Sequence, residues 1–163
     1  MEIIYSPIGT IHSPFHELTS MPIQPSSDSS APGTVELLPE FTPGLQDLEG
    51  FSHIILIYHL HRSDHYSLIV TPFLDSKPHG VFATRAPNRP NPIGISVIKL
   101  LRIENNILFV DNLDVLDGTP ILDIKPYVPE FDLIPDFRLG WLEKVKHDVH
   151  TTRSDNRFGS KHT

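Results

Sequence analysis

The run Ala83-Thr84-Arg85-Ala86-Pro87-Asn88-Arg89-Pro90-Asn91-Pro92-Ile93-Gly94 gathers two guanidiniums, two carboxamides and three prolines. Each proline fixes its own φ and holds the preceding residue in extended geometry, so the loop has little entropy left to lose. A stiff loop is a good carrier of polar groups for a ligand, because ordering costs are already met. Arg85 and Arg89 offer planar forks of donors suited to a carboxylate or phosphate. Asn88 and Asn91 both donate and accept, which suits a base edge or a sugar. The competing reading is a rigid surface connection with solvated charges.

A second run extends from Leu113 to Tyr127. Asp117-Gly118 is a tight-turn pair, and Gly118 would let backbone come close to a ligand. Beyond it, strand alternation predicts Asp123, Lys125 and Tyr127 on one face, with Leu122 and Ile124 on the other. A lysine beside a phenol can lower the phenol pKa and help move a proton, whereas the plainer reading is an Asp–Lys pair. His59, His61 and His65 have spacing that invites a metal. Zinc, however, wants a third or fourth ligand and usually a partner behind them, so no metal is expected.

The bulk of the chain narrows the classes. With 163 residues it fits one domain, and with no cysteine it has no disulfide, thiolate metal site or iron–sulfur cluster. The first residues lack a basic start followed by an apolar run, and the apolar stretch Ile54 to Tyr58 is too short to span a bilayer. A cytoplasmic protein away from membranes is the expectation. The formal charge of −7 argues against a general nucleic-acid coat. Yet Ser76 to Ile103 contains no acid and carries Lys77, Arg85, Arg89, Lys99 and Arg102, which suggests a focused anionic site. No two glycines lie two apart, so the G-x-G phosphate fingerprint of doubly wound folds is missing.

The elements that must position these groups read as short strands: Glu2–Ser13, Gly33–Leu38, His53–Leu60, Tyr66–Pro72, Val81–Thr84, Ile95–Ile103, Asn106–Asn112 and Ile121–Tyr127. The strand Ile95–Ile103 is apolar at most odd positions and also at Ile98 and Leu100, which predicts burial on both faces for part of its length. Glu104-Asn105-Asn106 reads as a hairpin turn. Helical signal is confined to a turn near Pro43–Leu48 and to Leu139–Lys146, where Trp141, Leu142 and Val145 share a face. Gln24–Pro32 is a Ser/Pro-rich loop. The sum is a mainly β, single small barrel over residues 1–147 with short helices and no Rossmann element, followed by a mobile tail over 148–163.

Together the segments Pro7–Phe15, Gly50–Ile54, Gly80–Ile95 and Leu113–Tyr127 resemble the TrmO family, also called the TsaA-like domain. The resemblance implies a non-Rossmann β-barrel that binds S-adenosylmethionine and works as a homodimer. It further implies a methyltransferase acting on the exocyclic N6 nitrogen of threonylcarbamoyl-adenosine, next to the anticodon of threonine tRNA. By matching position, the cofactor would lie against Pro22, Ile23, Gln24, His61, Arg62, Arg85, the Ile95 backbone and Leu116, Asp117, Gly118 and Thr119. This chain has Ile23 where the family commonly has arginine, and it lacks the C-terminal extension of the bacterial members.

On that basis Arg85 and Asp117 are expected to position the donor. Arg89 and Asn91 would hold the threonyl carboxylate or an anticodon phosphate. Lys125 and Tyr127 are the proton-handling candidates, with Asp123 orienting Lys125. The rivals are a methyltransferase of the same fold acting on a small metabolite, a non-catalytic S-adenosylmethionine sensor, and a histidine-based metal hydrolase.

Overall fold

The computed structural model describes residues 1–19, 21, 31–144 and 153–158. Its strands are β1 (Gly9–His12), β2 (Gly33–Leu37), β3 (His53–His59), β4 (Ile69–Val70), β5 (His79–Gly80), β6 (Ile93–Glu104), β7 (Ile107–Asp111) and β8 (Thr119–Pro126). Six of them close into an antiparallel barrel in the order β1-β2-β7-β6-β3-β8, while β4 and β5 pair separately. Closure removes the exposed edges that short strands would otherwise leave.

The core follows from alternation. Ile54, Leu56 and Tyr58 of β3 point inward, as do Ile98 and Leu100 of β6 and Leu108 and Val110 of β7. Ile11, Val35 and Ile121 complete the cluster with no exposed surface. Each such aliphatic side chain contributes roughly 1.5–3 kcal/mol by leaving water. Asn105, with φ 56°, makes the tight turn between β6 and β7 as expected.

Antiparallel pairing sorts the connections. The links from His12 to Gly33, from His59 to Ile93 and from Asp111 to Thr119 join strands at one end, here the upper end. Residues 38–52, the Asn105 turn and the residues just after Pro126 lie at the lower end, whereas Trp141 and Ser154–Phe158 return to the upper connections. A bulge in the β3–β8 pairing between Ile57 and Tyr58 makes Leu122 the extra residue. Beyond it Asp123 and Lys125 share the outer face and Ile124 packs on the core, in agreement with the expected alternation.

Several expectations need correction. Val81–Thr84 is not a strand: Val81–Ala83 is a 3-10 turn closed by the Thr84 backbone N–H and hydroxyl, both donating to the Val81 carbonyl. Such local closure competes with a ladder. Only Gly9–His12 of Glu2–Ser13 is strand, and Tyr66–Pro72 shortens to Ile69–Val70. The turns near Pro43 and Trp141 are 3-10, over Pro39–Leu45, Leu48–Gly50 and Gly140–Lys144; Val145 lies outside the described residues.

β6 is buried on one face only. Its outward side chains Ile93, Ile95, Val97 and Leu101 are 39–50% exposed. The continuous apolar run comes from an outer face that the described residues leave about half exposed. Residues 153–158 do not leave the domain as a mobile tail would: Phe158 is buried edge-on to Phe73, and Arg157 donates to the Pro72 carbonyl at 2.8 Å. Among the described residues no helix is long and apolar enough to cross a membrane, and no cluster of three or more His, Asp or Glu could hold a metal.

Candidate functional site

At the upper end, the segment before β8 is stapled to the end of β1. Asp117 N–H donates to the Phe15 carbonyl (2.7 Å) and Gly118 N–H to the Ile11 carbonyl (2.9 Å). Ser13 adds two bonds, its N–H to Asp117 Oδ1 (3.1 Å) and its hydroxyl to the Val115 carbonyl (2.6 Å). Gly118 sits at φ 76°, a conformation that a side chain would strain. Thr119, 2% exposed, donates to the Leu116 carbonyl at 2.6 Å and lies 3.3 Å from His61 Nδ1. Partial burial, followed by the charges of Arg62 and His59, holds the His61 pKa below its usual value. His12 and His16 flank the Asp117 carboxylate at 3.6 and 3.5 Å.

Beside this staple runs a chain of hydroxyls. Tyr58 OH lies 2.9 Å from Ser96 Oγ, and Ser96 Oγ donates to Asp114 Oδ1 at 2.7 Å. Gly94 makes room for it, since a Cβ there would overlap the Tyr58 ring. Burial pushes the Asp114 carboxyl up to about 6, against the pull of the Ser96 bond, its own backbone N–H and the Arg85 charge. Burial likewise raises the Tyr58 hydroxyl, and the Asp114 charge adds to it.

The proline-rich loop is knit to itself. Arg89 Nη1 donates to the carbonyls of Thr84 and Ala86, both at 3.2 Å. Asn88, 4% exposed, accepts from the Ser63 hydroxyl at 3.2 Å and lies 3.0 Å from His65 Nε2. Asn91 is exposed, and its carbonyl accepts from the Ile93 N–H at 2.8 Å. Arg85 is exposed, and its charge acts on both Asp114 and Tyr58.

The upper end therefore brings together His61, Arg62, Arg85, Arg89, Asn91, Leu116, Asp117, Gly118 and Thr119. Ile95 stands on β6 opposite Ile57, with its side chain facing outward. Pro22, Ile23 and Gln24 lie outside the described residues. Lys125 pairs with Asp123 at 2.8 Å, and Tyr127 sets its ring edge-on to His53 at 6.4 Å, both toward the lower end. Lys125 stands six positions along β8 from Thr119, about 20 Å of strand. The five-cation window is also dispersed rather than focused. Arg102 sits near the lower end, paired with Glu104 at 2.7 Å and lying over Phe109, far from Arg85.

The sequence reading missed Tyr58, Ser96, Asp114, His12 and His16. Ser96 alone carried a usable signal, as a hydroxyl inside the apolar run Ile95–Ile98. The donor set fits an adenosyl amino-acid sulfonium. Guanidiniums suit its carboxylate, Asp117 suits its cationic end, and the Leu116–Thr119 backbone with buried apolar neighbours suits its base.

Fold and site thus define a barrel domain with a polar ligand end built from three connections and no phosphate loop. Residues 10–133 match the tRNA-methyltransferase O N-terminal domain. The chain is 58% identical to a probable S-adenosyl-L-methionine-binding protein of Pyrococcus abyssi, over 97% of this chain and 86% of that one. It is 34% identical to the human tRNA (adenine(37)-N6)-methyltransferase, over 97% of this chain but only 38% of that protein. The crystal structure of TrmO from Pseudomonas aeruginosa superposes with a TM-score of 0.74 at 43% identity, over 86% of this chain and 63% of that one. The chain belongs to the TrmO N-terminal domain family.

Proposed function

We propose that the chain is an S-adenosylmethionine-dependent tRNA (adenine-N6) methyltransferase. Its target in this reading is the N6 nitrogen of threonylcarbamoyl-adenosine beside the anticodon of threonine tRNA, and it acts as a cytoplasmic homodimer. The observation that carries this is convergence: His61, Arg62, Arg85 and Leu116–Thr119, distant in sequence, meet at one end of the barrel. Bound there, S-adenosylmethionine supplies an electrophilic methyl group on a sulfonium.

The acylated nitrogen is a weak nucleophile, so catalysis rests first on placement, which is worth roughly 7–11 kcal/mol. Arg85 and Asp117 orient the donor, and the Leu116–Thr119 backbone holds its base. Arg89 keeps part of its guanidinium for the loop carbonyls and, with Asn91, faces the threonyl carboxylate or a phosphate. Lys125 and Tyr127, with Asp123 holding the lysine, move the proton. They lie too far from Thr119 to meet the same reacting atoms within one chain, so a second copy must bring them. The outer face of β6, with Ile93, Ile95 and Val97 about half exposed among the described residues, supports such a pairing.

The test is nucleoside mass spectrometry of tRNA from cells with and without the gene. One added methyl on threonylcarbamoyl-adenosine is expected only with it; an unchanged nucleoside profile overturns the assignment. A second reading, a binding protein without transfer, is favoured by the Pyrococcus relative, whose name states binding alone. Calorimetric uptake of S-adenosylmethionine without methylation of any tRNA would select it.

A further inference from the structure

After β8 the chain returns to the upper end, and it meets the proline-rich loop through its one tryptophan. The 3-10 turn Gly140–Lys144 closes on its own residues, with Leu142 N–H on the Leu139 carbonyl and Leu139 N–H on the Glu143 carboxylate. From this turn Trp141 reaches a residue 58 positions earlier. Its Nε1 donates to the Ala83 carbonyl at 2.8 Å, and its ring stacks on His79 at 4.5 Å and 22°. His79 is itself held, its Nε2 lying 3.0 Å from Asp75 Oδ2, while Asp75 Oδ1 accepts from the Lys77 N–H at 3.1 Å. A stacked ring with one directed hydrogen bond fixes both position and orientation.

Ala83 is two residues before Arg85, and the bonds around that arginine hold its backbone from both sides. The Thr84 hydroxyl donates to the Val81 carbonyl at 2.9 Å and accepts from the Ala86 N–H at 3.2 Å. Arg89 ties the Thr84 and Ala86 carbonyls together. These bonds lie within the loop, whereas the tie at Ala83 comes from a distant segment. We infer that Trp141 is a positioning residue, which by gripping Ala83 and capping His79 sets where Arg85 stands to meet the methyl donor. This rests on the proposed function, because it takes Arg85 to be a donor contact. An arginine has a long and flexible stem, so a placed backbone removes ordering cost before the ligand arrives.

The experiment is calorimetric titration of the full chain with S-adenosylmethionine, for the wild type, Trp141→Phe, Trp141→Ala, Arg85→Ala and the double variant Arg85→Ala/Trp141→Ala. Trp141→Phe keeps a ring for His79 and loses the N–H, so binding should weaken about threefold, the worth of one net hydrogen bond. Trp141→Ala should weaken it about tenfold, because the stack goes too. In the Arg85→Ala background the same change should cost less than about twofold, since the group that it positions is gone. Additive losses, or wild-type affinity in both Trp141 variants, overturn the inference while leaving the function standing. If Trp141→Ala does not fold, the wild type decides. Its single indole N–H gives one proton signal, and reciprocity requires bound donor to slow exchange of that proton by about the same tenfold. Exchange unmoved by saturating donor overturns the inference. No uptake by the wild type sinks the function itself and this inference with it.

Discussion

The two ends of the barrel are made from the same strands and have opposite characters. Above, three connections converge and several polar groups are tied to one another: Asp117 to Ser13, Thr119 to Leu116, Arg89 to its own loop, Asp114 to Ser96. Below, short 3-10 turns border a cleft lined mainly by Phe41, Leu45, Leu48, Phe51 and Ile124. The polar pair at that end, Asp123 and Lys125, is about half exposed, and an exposed ion pair contributes little to stability. Long connections permit a ligand site because loops can turn donors inward while the strands stay rigid.

The largest test separates the ends by turnover. Tyr127→Phe or Lys125→Met should slow methyl transfer by about 10²–10⁴-fold, as expected for lost proton handling, with S-adenosylmethionine affinity changed less than about twofold. Arg85→Ala should instead weaken that affinity by roughly ten- to a hundredfold by calorimetry. Mixing Arg85→Ala with Tyr127→Phe subunits should then recover part of the activity if the lower end of one copy serves the upper end of another. No recovery would place both roles outside a shared dimer site.

Stability sharpens the contrast further. Gly94→Ala forces a methyl group into the Tyr58 ring and should cost about 1–3 kcal/mol in denaturant unfolding. Asp114→Asn should go the other way. Its carboxyl binds a proton more tightly folded than unfolded, with a pKa of about 6 against the usual 3.8. Ionised Asp114 therefore destabilises the fold as pH rises from about 4 to about 6, and the loss persists at pH 7. The variant should gain about 1–2 kcal/mol at pH 7 and nothing at pH 4, read from melting curves at both. A loss at pH 7 would show that the carboxylate holds the barrel together instead.

Much of the barrel was legible because β2, β3 and β7 are rich in Ile, Val, Leu and Tyr between turn residues, but Ile54 to Tyr58 and Ile107 to Val110 are apolar throughout, so their inward face was not. β6 misled because its outward residues are as apolar as its inward ones, and a single chain gives no sign of what covers them. The 3-10 turn at Val81 was hidden by β-branched and aromatic residues that favour strand on propensity alone. At the site, stiffness was visible in the prolines and closeness in Gly118, but not the partnership of Asp114 with Ser96 and Tyr58. That needs the register of β3 against β6, in which Tyr58 pairs with Gly94 and Leu56 with Ser96. Nor could spacing show that Lys125 and Thr119, six residues apart, stand toward opposite ends of one strand.

Ser154 makes a knot between distant parts of the chain. Its hydroxyl bonds the Leu18 carbonyl at 2.7 Å, its N–H the Met21 carbonyl at 3.0 Å, and Met21 N–H returns to the hydroxyl at 2.9 Å. Met21 is the residue immediately before Pro22. The approach to Pro22-Ile23-Gln24 is therefore anchored by a residue from near the other terminus, much as a buckle anchors a belt. Trimming the chain after 152 would unfasten it without touching any strand, and slack in donor capture should come with a lower melting point, because the buried Phe158 leaves with it.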